Sequence, residues 1–256
     1  MHVTLNAVLF AAVLFVGMLL AQELGLRIGR RRLEADGETS RTGLGAVDGA
    51  VFGLMGLMIA FAFHGAASRF EVRRDLVIEE ANAIGTAYLR IDVLAPDAQP
   101  KLRELFRRYA DSRIDVYRRL PDIAAAREAL ARAVALQGEI WTAGVEAVRR
   151  TPQSEMLVLP AMNAMFDVTT ARTAALETHP PLLVFGMLGF LALACALLAG
   201  YGMAGARRRS VLHVVGFAMI LTLTVYVILD YEFPRVGVIR VDAFDKVLVD
   251  ARESMR

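Results

Sequence analysis

Cysteine is almost absent from this 256-residue chain, Cys195 being the single example. One cysteine excludes an intrachain disulfide and any cysteine-rich metal site. Histidine is scarce too. The four, at 2, 64, 179 and 213, are scattered without the spacing that ligates a metal, so no metal site is expected. There is no phosphate-cradling glycine loop, because the glycines of GLGAVDGAVFG recur at helix-packing intervals. No nucleophile, acid and base form a recognisable catalytic set. An enzyme is therefore not expected, and no cofactor is implied. The net charge of +2 leaves no basic footprint for nucleic acid. Lysine is rare against arginine, 2 to 27, which reflects base composition rather than chemistry.

Charge is missing from four long stretches. Residues 3–21, 182–206 and 211–229 hold none, and 46–67 hold only Asp48. Each is about 19 to 25 residues, enough to cross roughly 30 Å of hydrocarbon as a helix. Four transmembrane helices are predicted. The first is read as an uncleaved span: no positive residue precedes it, and AQELGLRIGRRR offers no small-x-small cleavage site.

The boundaries follow. Residues 1–67 carry spans one and two with a basic loop, and 180–229 carry spans three and four. Between them, 68–179 is a polar segment with helical periodicity, broken at Pro96, Pro100, Pro121 and Pro152. One predicted helix face gathers Leu102, Leu105, Phe106, Tyr109, Val116 and Tyr117. The next gathers Ile123, Leu130, Val134, Gln137, Trp141, Val145 and Val148. Thr151 and Pro152 predict an N-cap and a first-turn proline. Residues 230–256 form a tail: PRVGVIRV is expected to be extended, and an amphipathic helix then presents Phe244, Val247, Leu248 and Ala251. The fold class is all-α, four spans with a helical bundle inserted between the second and third.

Three constellations stand out. In span two, Gly45, Gly49, Gly53, Gly56, Ala60 and His64 recur every three or four residues. Glycine costs about 1 kcal/mol against alanine inside a helix. A stripe of it implies either close helix packing or the lining of a path. After that span, RRDLVIEEANAIGTAYLR places Asp75, Glu79, Asn82, Thr86 and Arg90 on a polar stripe. Glu80 lies close to the apolar face of Val77, Ala81, Ile84, Tyr88 and Ile91. With Asn163 and Arg172 these predict a buried polar network or an ion-attracting vestibule, answered by Arg73, Arg74, Arg90 or Arg172. At the exit of span four, Asp230, Glu232 and Arg235 are expected to anchor the tail.

GLMGLMIAFAFHGAASRFEVRRDLVIEEANAIGTAYLRIDVL, LRELFRRYADSRIDVYR, LPAMNAMFDVTTARTAAL and LDYEFPRVGVIRVDAFDKVLVDARESM resemble a bacterial membrane family of unknown function with a bestrophin-like domain. His64 departs from it, standing where a small hydroxyl residue is expected. The more remote resemblance to bestrophins implies a homo-oligomer, a pentamer in those channels, which conducts ions through the cytoplasmic membrane. Their calcium-binding acidic cluster is not recognisable here, so calcium gating does not carry over. The expected function is thus a bestrophin-like ion channel or a channel-derived protein. The alternative is a membrane-anchored interaction or sensor module whose bundle binds a partner or small ligand.

Orientation is the point on which residues and resemblance differ. Arg27, Arg30, Arg31, Arg32 and Arg41 follow span one, and Arg207, Arg208 and Arg209 follow span three. The positive-inside rule puts both loops in the cytoplasm and the polar segment outside. Bestrophin topology puts that segment in the cytosol. The charge count predicts that a cysteine placed at Ser112 reacts with an impermeant thiol reagent in intact spheroplasts. Labelling only after lysis reverses the orientation.

Overall fold

The structure, a computed structural model, describes residues 2–36, 44–120, 122–206, 210–235 and 237–255. Arg41 and Arg207 to Arg209 of the basic loops lie outside the described residues. The helices are α1 (His2–Asp36), α2 (Leu44–Leu89), α3 (Gln99–Arg118), α4 (Ile123–Arg150), α5 (Glu155–Glu177), α6 (Leu182–Gly202), α7 (Val211–Glu232) and α8 (Lys246–Glu253). No strand occurs among the described residues. The chain divides into two compact units, one of Met1–Ser68 with His179–Val238, the other of Arg69–Thr178 with Ile239–Arg256.

The first unit contains α1, the start of α2, α6 and α7. Four helical segments, containing α1, α2, α6 and α7, are long and apolar enough to cross a bilayer. A helix satisfies its own backbone polar groups, which hydrocarbon requires. Leu14, Met18, Met55, Leu191, Ala192, Cys195, Ala196, Ala218 and Val225 form the core. Glycine sets how closely α1 and α6 approach. A Cβ on Gly25 would overlap the Leu197 carbonyl, and one on Gly200 would overlap the Gln22 carbonyl. In each case backbone meets backbone, with no side chain to yield.

α2 behaves differently. Only 6% of its most apolar stretch is buried, against 17–33% for the other three. Met55 is its fully buried contribution to the core, with Val51, Phe52, Met58 and Ile59 packed alongside. Its span is therefore mostly exposed or only partly covered by its own chain.

The second unit contains the rest of α2, α3, α4, α5 and α8. The predicted α3 face is buried throughout, at Leu102, Leu105, Phe106, Tyr109, Val116 and Tyr117. The α4 face is rotated from the expected one. Ala126, Ala129, Ala133, Leu136, Ile140, Ala143, Gly144 and Ala147 turn inward, while Ile123 and Val134 are more than half exposed. Small residues win these positions because they let helices approach closely. A Cβ on Gly144 would meet the Met162 sulfur at 2.6 Å. Asp122 caps α4, its carboxylate accepting from Ala125 N–H at 3.1 Å.

Three local expectations are corrected. Ser112 is buried, its hydroxyl donating to the Ala129 carbonyl at 3.1 Å, so the cysteine of the topology test belongs instead at an exposed position such as Glu139. Thr151 stands at the N-cap position of a 3₁₀ turn, Pro152–Ser154, with Pro152 in its first turn as expected, but its hydroxyl donates back to the Ala147 carbonyl and makes no cap bond. The stretch after α7 is a series of turns and bends, held by side chains rather than strand pairing. Within the second unit α8 packs on α3. Leu248 and Met255 join the core, Arg107 donates to the Met255 carbonyl at 3.2 Å, and Arg252 pairs with Asp111 at 3.0 Å.

The contrast between glycines is measurable. Gly25→Ala or Gly200→Ala is expected to cost about 1–3 kcal/mol through overpacking. Gly53→Ala should leave the subunit as stable or slightly more so. Thermal melting of the purified protein in detergent checks this, and equal losses at all three positions would remove the distinction.

Candidate functional site

In the second unit, charge is held where water does not reach. Glu80, Arg113 and Arg172 are at most 2% exposed. α2 places Glu80 beside the inward residues Val77, Ala81 and Ile84. α3 places Arg113 between Tyr109 and Tyr117 at i+4 and i−4, on the buried stripe. α5 places Arg172 on one buried face with Met165 and Thr169, seven and three residues before it.

The three close on one another. Arg113 Nε donates to one carboxylate oxygen of Glu80, and Arg172 Nη1 donates to the other. Arg113 Nη2 donates to the Tyr117 hydroxyl, which lies 3.5 Å from Glu80 Oε2. Arg172 Nη2 donates to Asp245 at 2.9 Å, and its guanidinium stacks over the Tyr117 ring 3.5 Å from the centroid. Two cations thus face two carboxylates. Beside them the Tyr109 and Thr169 hydroxyls share a 2.7 Å hydrogen bond, and Gln137 donates to Tyr109 at 3.1 Å.

Burial alone would ease the proton off Arg113, but Tyr117 and Glu80 more than offset it, so the guanidinium's pKa is raised. Burial also pushes the Tyr109 phenol up, which keeps it neutral. Arg113 Nη1 has no hydrogen-bond partner among the described residues. With both Glu80 oxygens engaged by guanidiniums, the cluster fits a clasp better than a proton acceptor or an ion ligand.

The predicted network therefore separates. Glu80 and Arg172 belong to the buried cluster, whereas Glu79, Asn82, Thr86 and Asn163 are exposed on this single chain. Arg90 is half-buried and donates to the Leu157 carbonyl at 2.7 Å. Arg73 is buried and satisfies the C-terminal carbonyls of α5, donating to Ala175 and Thr178 at 3.0 and 2.8 Å. Arg74 pairs with Asp75. Arg113 and Asp245 lie outside the residues expected from the sequence, and Tyr117, expected on the inward face of α3, brings its hydroxyl to the cluster. The signal for Arg113 was its place in the buried rhythm of α3, between Tyr109 and Tyr117.

In the first unit, Gly49, Gly53, Gly56, Ala60 and His64 are all exposed. Nothing lies within 4 Å of where a Cβ would sit on Gly45, Gly49, Gly53 or Gly56. The stripe has no packing partner among the described residues of its own chain. At the end of α7, Asp230 and Glu232 are buried, and Arg235 is half-buried. Both Asp230 oxygens lie 3.0 Å from Val238 N–H, which donates to them. Gly237 lies so close to that carboxylate that a Cβ would overlap it. Glu232 bonds His179 Nδ1 at 3.0 Å, and the His179 ring lies over Phe233, 4.9 Å between centroids. Among the described residues no three His, Cys, Asp or Glu side chains converge to hold a metal ion.

A family model described as the Bestrophin-like domain matches residues 8–243. No curated protein and no solved structure matches the chain.

The cluster separates neighbouring acids. Glu80→Ala strands two buried guanidiniums and is expected to cost about 3–5 kcal/mol. Glu79→Ala should melt like the parent. Chemical denaturation followed by circular dichroism decides, and equal stability of both variants would remove the clasp.

Proposed function

Because the chain belongs to the bestrophin-like family, we propose that this multi-pass membrane protein is a homo-oligomeric ion channel of a bacterial cytoplasmic membrane. Subunits surround an axis lined by Gly49, Gly53, Gly56, Ala60 and His64 of α2. The observation that carries this reading is the bare small-residue face on the least buried span. A span that met only lipid gains nothing from repeated glycine, which weakens a helix by about 1 kcal/mol per residue against alanine. Copies of the same helix converging on an axis do need small residues, because bulk there closes the path.

The exposed side of α2 in the polar unit extends the reading. Asp75, Glu79, Asn82 and Thr86 reach water on the single chain. A ring of such groups concentrates ions at a mouth, as charged rings do in channels. Glu80, turned inward one residue later, holds the helix in register with its neighbours.

Flux from the purified protein in liposomes, with oligomeric state measured in detergent, tests this. A ring-sized oligomer and ion flux are expected. Gly53→Leu or Gly56→Leu should break the assembly or block the flux, and Glu79→Gln should change its size or ion preference without unfolding the protein. A monomer or tight dimer without flux would favour a membrane-anchored interaction module.

A further inference from the structure

α4 has three kinds of surface. One faces the core through Ala129, Ala133, Leu136 and Ile140. A second is charged and answers α3, with Arg132 paired to Asp115 at 2.8 Å and Glu139 to Arg108 at 3.9 Å. The third carries Ile123, Arg127, Val134, Gly138, Trp141 and Arg149 at helical intervals, all of them exposed. Ile123 is 58% exposed, Val134 55% and Trp141, the chain's single tryptophan, 36%. α4 belongs to none of the four membrane segments, so hydrocarbon does not account for this apolar side. Nothing lies within 4 Å of where a Cβ would sit on Gly138. Glycine in mid-helix weakens the helix, and nothing in the same chain uses the space it leaves. Large apolar residues uncovered along one side of a helix mark a protein interface.

Charge narrows what covers it. Arg127 and Arg149 are the charges of this third side, and among the described residues neither makes an ion pair. The exposed positions of α5 carry Glu155, Asp167 and Glu177 and no base, and these acids have no ion-pair partner among the described residues either. The two arginines stand 22 residues apart, and so do Glu155 and Glu177. Each interval is about 33 Å of helix. α4 and α5 run antiparallel, joined by a short 3₁₀ turn and packed together where Gly144 meets Met162. The reversal brings Arg127 level with Glu177 and Arg149 level with Glu155. Between these ends Val134 is level with Ala171, and Trp141 with Ala164, large residues against small exposed ones.

We propose that the exposed apolar side of α4 docks on the exposed acidic side of α5 in a second copy of this chain. The copies are related by rotation about an axis that runs along both helices. Rotation leaves each residue at its own height, so residues level within one chain meet across the interface. Two different surfaces meet, which makes the contact head-to-tail and closes copies into a ring rather than a pair. The inference rests on the homo-oligomer proposed above, not on conduction. A ring without flux leaves it standing, a ring held by other surfaces defeats it alone, and a monomer defeats both.

Disulfide crosslinking of the full chain in its native membrane tests the contact. In a Cys195→Ala background, Val134→Cys together with Ala171→Cys is expected to give a ladder of linked species on a non-reducing gel after mild oxidation. Either change alone should give none. A linked dimer from Val134→Cys alone would overturn the proposal, because α4 would then meet its own copy. Charge exchange in detergent is the second arm. Arg127→Glu and Glu177→Arg are exposed changes that leave the fold of the single chain intact. Each should weaken assembly by about tenfold or more, since like charges then face each other, and the two together should restore it. Trp141 should be shielded from acrylamide quenching in the parent oligomer and accessible in either single variant. An oligomer that gives no ladder and withstands both charge changes would overturn the proposal, leaving this side of α4 to a different partner.

Discussion

The carboxylate of Glu80, gripped from both sides by Arg113 and Arg172, is the constraint around which the polar unit is arranged. It ties α2 to α3 and α5, and through Arg172 to Asp245. Burying charge offers little net stability, since desolvation consumes most of the Coulomb gain. Its effect is on choice of arrangement. A register slip of one residue in any of the three helices would leave an ion buried and unpaired, and such packings are expelled. Buried alanines such as Ala81, Ala129 and Ala133 belong to the same core, and their small size lets the helix backbones come close.

In the first unit a different device sets the register of two helices. α1 and α6 are registered by backbone contact at Gly25 and Gly200, where any side chain collides with a carbonyl. Close packing of this kind supplies a preference for protein that apolar burial does not give between helices in lipid. The glycines of α2 stand apart by having nothing against them. One residue type thus stands in two settings, and only the three-dimensional neighbours tell them apart.

Legibility in the sequence followed the same division. The four spans were readable because a bilayer tolerates no interruption of apolar character over some twenty residues. The inward face of α3 was readable from large residues at helical intervals. The face of α4 was misjudged because bulk was taken as the sign of burial, whereas alanine at 126, 129 and 133 fills the interior and Val134 looks outward. Glu80 and Arg172 were visible as charges near apolar faces. Glu79 and Asn163 looked equivalent to them, and periodicity alone could not separate neighbours one step apart on a helix. Arg113 was hidden among Asp111, Asp115 and Arg118, which have the look of a solvated surface.

Asp245 belongs to the same compact unit as Glu80, yet the spans α6 and α7 come between them in the chain. On the ribosome, Glu80, Arg113 and Arg172 emerge first, and Arg172 must wait for its second carboxylate until both of those spans have been made. Leu248 and Met255, which join the core, arrive later still. Closure of the polar unit is therefore coupled to the order of synthesis. A nascent chain whose last two spans stall short of insertion carries an unfinished bundle with an exposed apolar seat for α8, a form that proteases and chaperones can distinguish from the completed protein.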